Sequence, residues 1–157
     1  MFNFFQRKKK AQLKDVADAI AFANRTGKYY YKKSDEEVVL KIDRTFAAMG
    51  ISDPELERDI KEHPEDYIPI PVLTAADEMQ LMMNYAKIQS DRSLQAELIR
   101  TLQSPGAMRS FRNRIRSGGL QENWDQYRCD ICMKVAENWA KENGLKGIRP
   151  QTGKRGF

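Results

Sequence analysis

The sequence predicts a helix-rich α+β fold: an N-terminal helix, a small antiparallel β-hairpin or sheet, and a C-terminal helical bundle. Three observations carry this expectation. Apolar residues recur at spacings of three and four before residue 24 and again, almost without a break, from residue 74 to 144. Between these stretches lie two short segments rich in β-favouring residues, separated by polar residues. The chain has 157 residues, of which 41% are hydrophobic and 31% charged, enough to bury one good core and far from a disordered composition.

Taken in order, residues 1–10 read as a basic flexible arm, residues 11–144 as a single α+β domain, and residues 145–157 as a basic disordered tail. Leu13, Val16, Ala17, Ile20 and Ala21 share one face of the first helix, and Asn24 and Gly27 are its stop signals. Residues 28–33 (Lys-Tyr-Tyr-Tyr-Lys-Lys) and 37–42 (Glu-Val-Val-Leu-Lys-Ile) form a hairpin across the polar turn Ser34-Asp35-Glu36. Ser52 or Asp53 caps a short helix with Pro54 at its first position, and this helix ends near His63-Pro64. Tyr67-Ile68-Pro69-Ile70-Pro71 fits an edge strand or a connector, because two prolines remove ladder donors. Thr74 caps a helix with the stripe Met79, Met82, Met83 and Ala86. A second helix spans about residues 91–103, through Leu94, Leu98, Ile99 and Leu102. Ser104-Pro105 opens a third, with Met108, Phe111 and Ile115 on one side, and Gly118-Gly119 ends it. The last helix starts near Asn123, carries Trp124, Tyr127, Ile131, Val135 and Trp139, and stops at Gly144.

Charge is segregated. Residues 1–33 hold nine Lys/Arg against two Asp/Glu, residues 34–103 seven against fifteen, and residues 104–157 eleven against five, within an overall charge of +5. A chain that is basic throughout points to nonspecific affinity for nucleic acid. Here the acidic middle can fold against the basic ends. No apolar run reaches the roughly 20 residues needed to cross a bilayer. The N-terminal Phe2, Phe4 and Phe5 precede their basic run, the reverse of a secretory signal, so the expected location is cytoplasmic.

Each reactive residue has a plain structural use. Cys129 and Cys132 form a C-x-x-C without a second Cys/His pair to complete a zinc site, and consecutive helical turns suit a disulfide poorly. They are read as free thiols. His63, the single histidine, lies at a helix end among acids. The carboxylates from Asp53 to Asp66 lack a calcium-loop pattern and read as a solvated face. No phosphate-binding loop, nucleophile elbow or metalloprotease motif occurs. No cofactor and no metal are expected. The sharpest surface feature is an arginine row: Arg109, Arg112 and Arg116 share one helix face, with Arg114 further round. Arginine's planar fork suits phosphate and carboxylate, although no base-stacking aromatic interleaves the row. Trp124, Tyr127 and Trp139 lie on the apolar stripe and read as packing residues.

Several blocks resemble an uncharacterised protein family, number 0158, of small bacterial proteins. Residues 106–113, Gly-Ala-Met-Arg-Ser-Phe-Arg-Asn, resemble its G-A-F-R-R-F-K-D block. Residues 124–130 resemble W-Y-x-F-R-D, and Val135-Ala136-Glu137-Asn138-Trp139 resembles I-A-x-x-W. Tyr30-Tyr31 with Glu37-Val38-Val39, and Ile68-Pro69-Ile70-Pro71, are similar to its hairpin and its I-P-L-P link. Met108 and Asn113 replace Phe and Asp, and Asp35-Glu36 stands where Thr-Gly is common. The resemblance spans about residues 12–144. It implies a fold and a bacterial or phage-like origin, and no activity. It also implies a helix junction packed by Phe111, Trp124, Tyr127 and Trp139. Near that junction Arg128 or Arg112 is expected to pair with Asp130 or Asp125.

These observations favour a non-enzymatic binding or regulatory module that acts through contact with a protein partner which the sequence does not name. The alternative is a nucleic-acid-associated protein using Arg109, Arg112 and Arg116, with Arg128 nearby and the basic ends. More remote is an enzyme with a site of scattered carboxylates and tyrosines.

Overall fold

The computed structural model describes residues 10–23, 27–50, 52–146 and 148. The basic arm apart from Lys10, the stop signal at Asn24 and nearly all of the basic tail lie outside the described residues. The protein is α+β, and the chain divides into two compact units, residues 1–72 with 132–157, and residues 73–131.

In the first unit, α1 (Leu13–Ala21) buries Leu13, Val16, Ala17, Ile20 and Ala21, the face its spacing marks out, together with Ala19. The Asp15 carboxylate accepts from the Gln12 N–H at 2.7 Å, satisfying a donor that precedes the helix. β1 (Gly27–Lys32) and β2 (Glu37–Ile42) pair antiparallel, with Gly27 opposite Ile42 and Lys32 opposite Glu37. The turn between them ends on Glu36 at φ 52°, a left-handed conformation that costs a side-chain-bearing residue about 1–2 kcal/mol. Asp66 offsets that cost by accepting from the Ser34 N–H at 2.9 Å and from its hydroxyl at 2.5 Å. Gly27 has a different reason to be glycine: a Cβ there would stand 2.1 Å from the Lys41 carbonyl oxygen.

β3 (Tyr67–Pro69) adds to the other side of β1, giving the sheet order β2-β1-β3. Both prolines respect this. Pro69 sits on an edge strand and Pro71 lies beyond it. A one-turn helix, α2 (Arg44–Ala47), follows β2 and starts where Asp43 accepts from the Thr45 N–H at 2.9 Å. Four residues are too few to show a helical period, so the pattern could not announce it. α3 (Pro54–Glu62) is capped by Asp53, which accepts from the Leu56 N–H at 3.2 Å, and Pro54 occupies its first turn.

The second unit is helical: α4 (Ala75–Lys87), α5 (Arg92–Leu102), α6 (Ala107–Ser117) and the first part of α7 (Gln121–Glu142), whose residues from Cys132 onward belong to the first unit. Thr74 and Asp77 exchange side-chain-to-backbone bonds of 2.9 and 3.1 Å, a full capping box. Asp91 caps α5 through the Ser93 and Leu94 N–H groups. The start of α6 differs from the expectation. Ser104 does not cap it, because its N–H and hydroxyl both turn back to the Thr101 carbonyl and close α5. The α6 N-cap is Gly106, left-handed at φ 67°. Leu81, Met82, Tyr85, Ala86, Leu98, Leu102, Phe111, Ile115 and Trp124 form the core of this unit. Each large side chain so buried stabilises by about 1.5–3 kcal/mol relative to exposure.

Candidate functional site

The surface chemistry of the second unit is set by how its arginines are used. α6 turns Phe111 and Ile115 inward with full burial, so helical geometry places Arg109, Arg112 and Arg116 on the opposite side, and all three are exposed. Arg116 donates to the Asn113 side chain at 3.4 Å. Among the described residues none of the three forms an ion pair with a carboxylate.

Two neighbouring arginines behave otherwise. Arg114, set round the helix from the row, grips Glu97 of α5 with both Nε and Nη2, the latter at 3.1 Å. That bond holds the Glu97 carboxyl below its usual range. Arg128 of α7 grips Glu78 of α4 in the same two-pronged way, with Nε at 3.1 Å from Oε1. The expected pairing across the junction is therefore corrected. The carboxylate held by Arg128 is Glu78, fifty residues earlier, rather than Asp125 or Asp130. Those two acids accept from Gln121 and Gln126 one helical turn before them, at 2.9 and 2.8 Å. Asp130, two residues on, points round the cylinder, and Asp125 already accepts from Gln121, whereas Glu78 faces Arg128 from another helix and can meet its fork in plane.

The aromatic residues divide between the two units. Tyr85 lies at the centre of one group, with its ring edge-on to Phe111, Trp124 and Tyr127 at centroid distances of 6.2, 5.1 and 5.3 Å. Phe111 and Trp124 are themselves 5.1 Å apart. The Tyr85 hydroxyl donates to the Asn123 side-chain oxygen at 2.5 Å. Trp139 belongs to the first unit. In the first unit its ring stands edge-on to Tyr31 at 6.0 Å, and its Nε1–H donates to the Pro69 carbonyl at 2.8 Å. Helix spacing alone could not separate them. Trp124 and Trp139 are fifteen residues apart on one helix, and the fold gives each its own partners. Tyr85 was missed because the methionine stripe beside it dominates the apolar pattern of α4.

The remaining candidates lie apart from the arginine row in the sequence. Cys129 is exposed and Cys132 buried, and the two are not joined in a disulfide. Among the described residues no group of three or more His, Cys, Asp or Glu side chains could hold a metal ion. His63 caps α3 and turns its exposed imidazole towards Glu65, Nδ1 lying 3.9 Å from the carboxylate. Within the acidic run, Asp59 accepts from the Tyr67 hydroxyl and lies 3.4 Å from the Lys32 ammonium, which also meets Asp35 at 2.9 Å. Burial and the Asp59 bond push the Tyr67 hydroxyl up to about 12. No helix among the described residues is long and apolar enough to cross a membrane.

This is a helix-rich α+β protein with a three-stranded antiparallel sheet and, on α6, a row of exposed arginines that form no ion pair among the described residues. The chain belongs to the Uncharacterised protein family (UPF0158), whose profile matches residues 9–152. Neither a search of the curated proteins nor one of the solved structures found a match. The family's description assigns no activity.

Proposed function

We propose that the protein is a non-enzymatic binding module that docks an acidic surface of a protein partner on the outer face of α6. The observation behind this reading is the contrast within one helix: Arg114 is satisfied by a carboxylate of its own chain, while Arg109, Arg112 and Arg116 face solvent without one. The row runs from Arg109 to Arg116, about 10 Å at 1.5 Å per residue, the length over which a partner helix with acids on one face presents two turns of carboxylates. Arginine contributes strongly at such interfaces because its fork meets carboxylates in two places. No aromatic side chain stands in the row to stack a base, which favours carboxylates over a single nucleic-acid strand.

The test is a fluorescence anisotropy titration with labelled polyglutamate and, separately, duplex DNA, at about 50 and about 200 mM salt, the range in which phosphate contacts show their salt slope. Polyglutamate should bind at the lower salt, and the Arg109→Ala/Arg112→Ala/Arg116→Ala variant should lose that binding while melting like the parent. Unchanged polyglutamate binding by the variant would overturn the proposal. Tight, salt-steep DNA binding lost in the same variant would replace it with the nucleic-acid reading.

A further inference from the structure

On the first unit, away from the arginine row in sequence and chemistry, lies an open cleft of about 970 Å³. Its walls come from the open end of the β1–β2 hairpin, the start of α2 and the side of α3, and it is lined by five cations: Lys28, Lys41, Arg44, Arg58 and Lys61. Only two carboxylates, Asp43 and Glu57, share the lining. Asp43 already accepts from the Thr45 N–H, a bond that holds its carboxyl low. Among the described residues none of the five cations forms an ion pair.

The register sharpens this. Lys28 and Lys41 are directly opposite each other across the hairpin, and like charges so placed destabilise a sheet. Beside them Gly27, with no Cβ, lets the backbone pass close against the Lys41 carbonyl. The Lys28 ammonium lies 5.7 Å from the centre of the Tyr30 ring, a weak partner compared with a carboxylate. The same strand shows the alternative. Lys32, two pleats along on the same face, is neutralised by both Asp35 and Asp59. One end of this sheet face is therefore electrically closed and the other is left open.

We infer that this cleft binds an anion carrying several phosphates in succession. Convergent ammonium and guanidinium groups around one concavity match closely spaced phosphate oxygens, which take charge-assisted bonds from more than one cation at once. The volume is within the range of clefts that hold a ligand of nucleotide size. Such a run of phosphates occurs both in the polyphosphate of a nucleotide and in the backbone of a single strand, and the two are separated by experiment. The inference is independent of the role proposed for α6.

Calorimetric titration of the full chain with tripolyphosphate at about 50 mM salt, where phosphate contacts are least screened, is the direct probe. Binding should weaken about tenfold or more in Lys28→Gln/Lys41→Gln, the loss expected for charge-assisted contacts, and should be unchanged in the α6 triple variant. The double variant should melt no lower than the parent, since it removes a like-charge pair, so a loss of binding cannot be ascribed to unfolding. A labelled single-stranded oligonucleotide that displaces tripolyphosphate and binds more tightly would assign the strand as the source. Tripolyphosphate binding that the oligonucleotide does not disturb would assign the nucleotide. Absence of binding, equal binding by the double variant, or equal affinity for sulfate would overturn the inference.

Discussion

The helical unit and the sheet unit handle positive charge in opposite ways. In the helical unit, the arginines that lean between helices, Arg114 and Arg128, are each held by a carboxylate from the acidic middle of the chain. In the sheet unit Lys32 is held by Asp35 and Asp59 and Lys10 by Glu36, while five cations line a cleft without an ion pair among the described residues. The difference follows from what each charge does for the fold. The Arg128 and Glu78 side chains are only 20% and 15% exposed, and a charge so withdrawn from water needs a partner. Cations on an open cleft stay hydrated, and an unpaired state costs them little. Among the described residues, the two arginines that link helices are paired, whereas the cations of the cleft are not.

Four substitutions test this contrast. Phe111→Ala removes a fully buried ring packed on Tyr85 and Trp124 and should cost about 3–5 kcal/mol, read from urea unfolding. A cost below about 1 kcal/mol would mean that the core of the helical unit collapses around the gap. Next, Arg128→Ala strands the Glu78 carboxylate and should cost about 2–3 kcal/mol, whereas Arg112→Ala should stay within about 0.5 kcal/mol of the parent. Equal costs for the two arginines would break the link between pairing and burial.

A smaller loss than that of Arg128→Ala is expected from Tyr67→Phe, about 1 kcal/mol at neutral pH for the lost bond to Asp59. Its pH dependence is more telling. The folded-state value of Tyr67 is raised from 10.0 to about 12, so its contribution is complete below pH 10 and is lost as pH climbs from 10 towards 12, where the unfolded chain releases the proton first. Lys32, raised mainly by its bond to Asp35, adds a loss in the same direction. The phenylalanine variant should therefore show a shallower alkaline decline in denaturant midpoint, not a flat one. A decline as steep as the parent's would rule out Tyr67 as a contributor.

Much of the fold was legible because local chemistry announces itself. Thr74 with Asp77, Asp53 with Pro54, and Gly144 mark helix ends by satisfying or replacing backbone groups within three or four residues. The edge position of residues 67–69 was legible because proline cannot donate to a ladder. The arginine row on α6 was also visible, since helical period alone brings Arg109, Arg112 and Arg116 together. Where local signals compete, the reading failed. Ser104-Pro105 has the residues of a helix start, but Ser104 binds the helix behind it and Gly106 opens the next.

Through spacing, capping and charge order, the sequence by itself determined the element types, the solvent face of α6, and a chain with basic ends and an acidic middle. The tertiary structure alone decided the partners. Glu78 and Glu97 became the counterions of Arg128 and Arg114, Trp139 parted from Trp124, and Lys28 and Lys41 met across a strand pair beside α3. Helical period and capping act over a turn or two of chain, so residue spacing encodes them. Ion pairs, ring contacts and clefts join residues tens of positions apart, and only the packing of elements brings those side chains within reach.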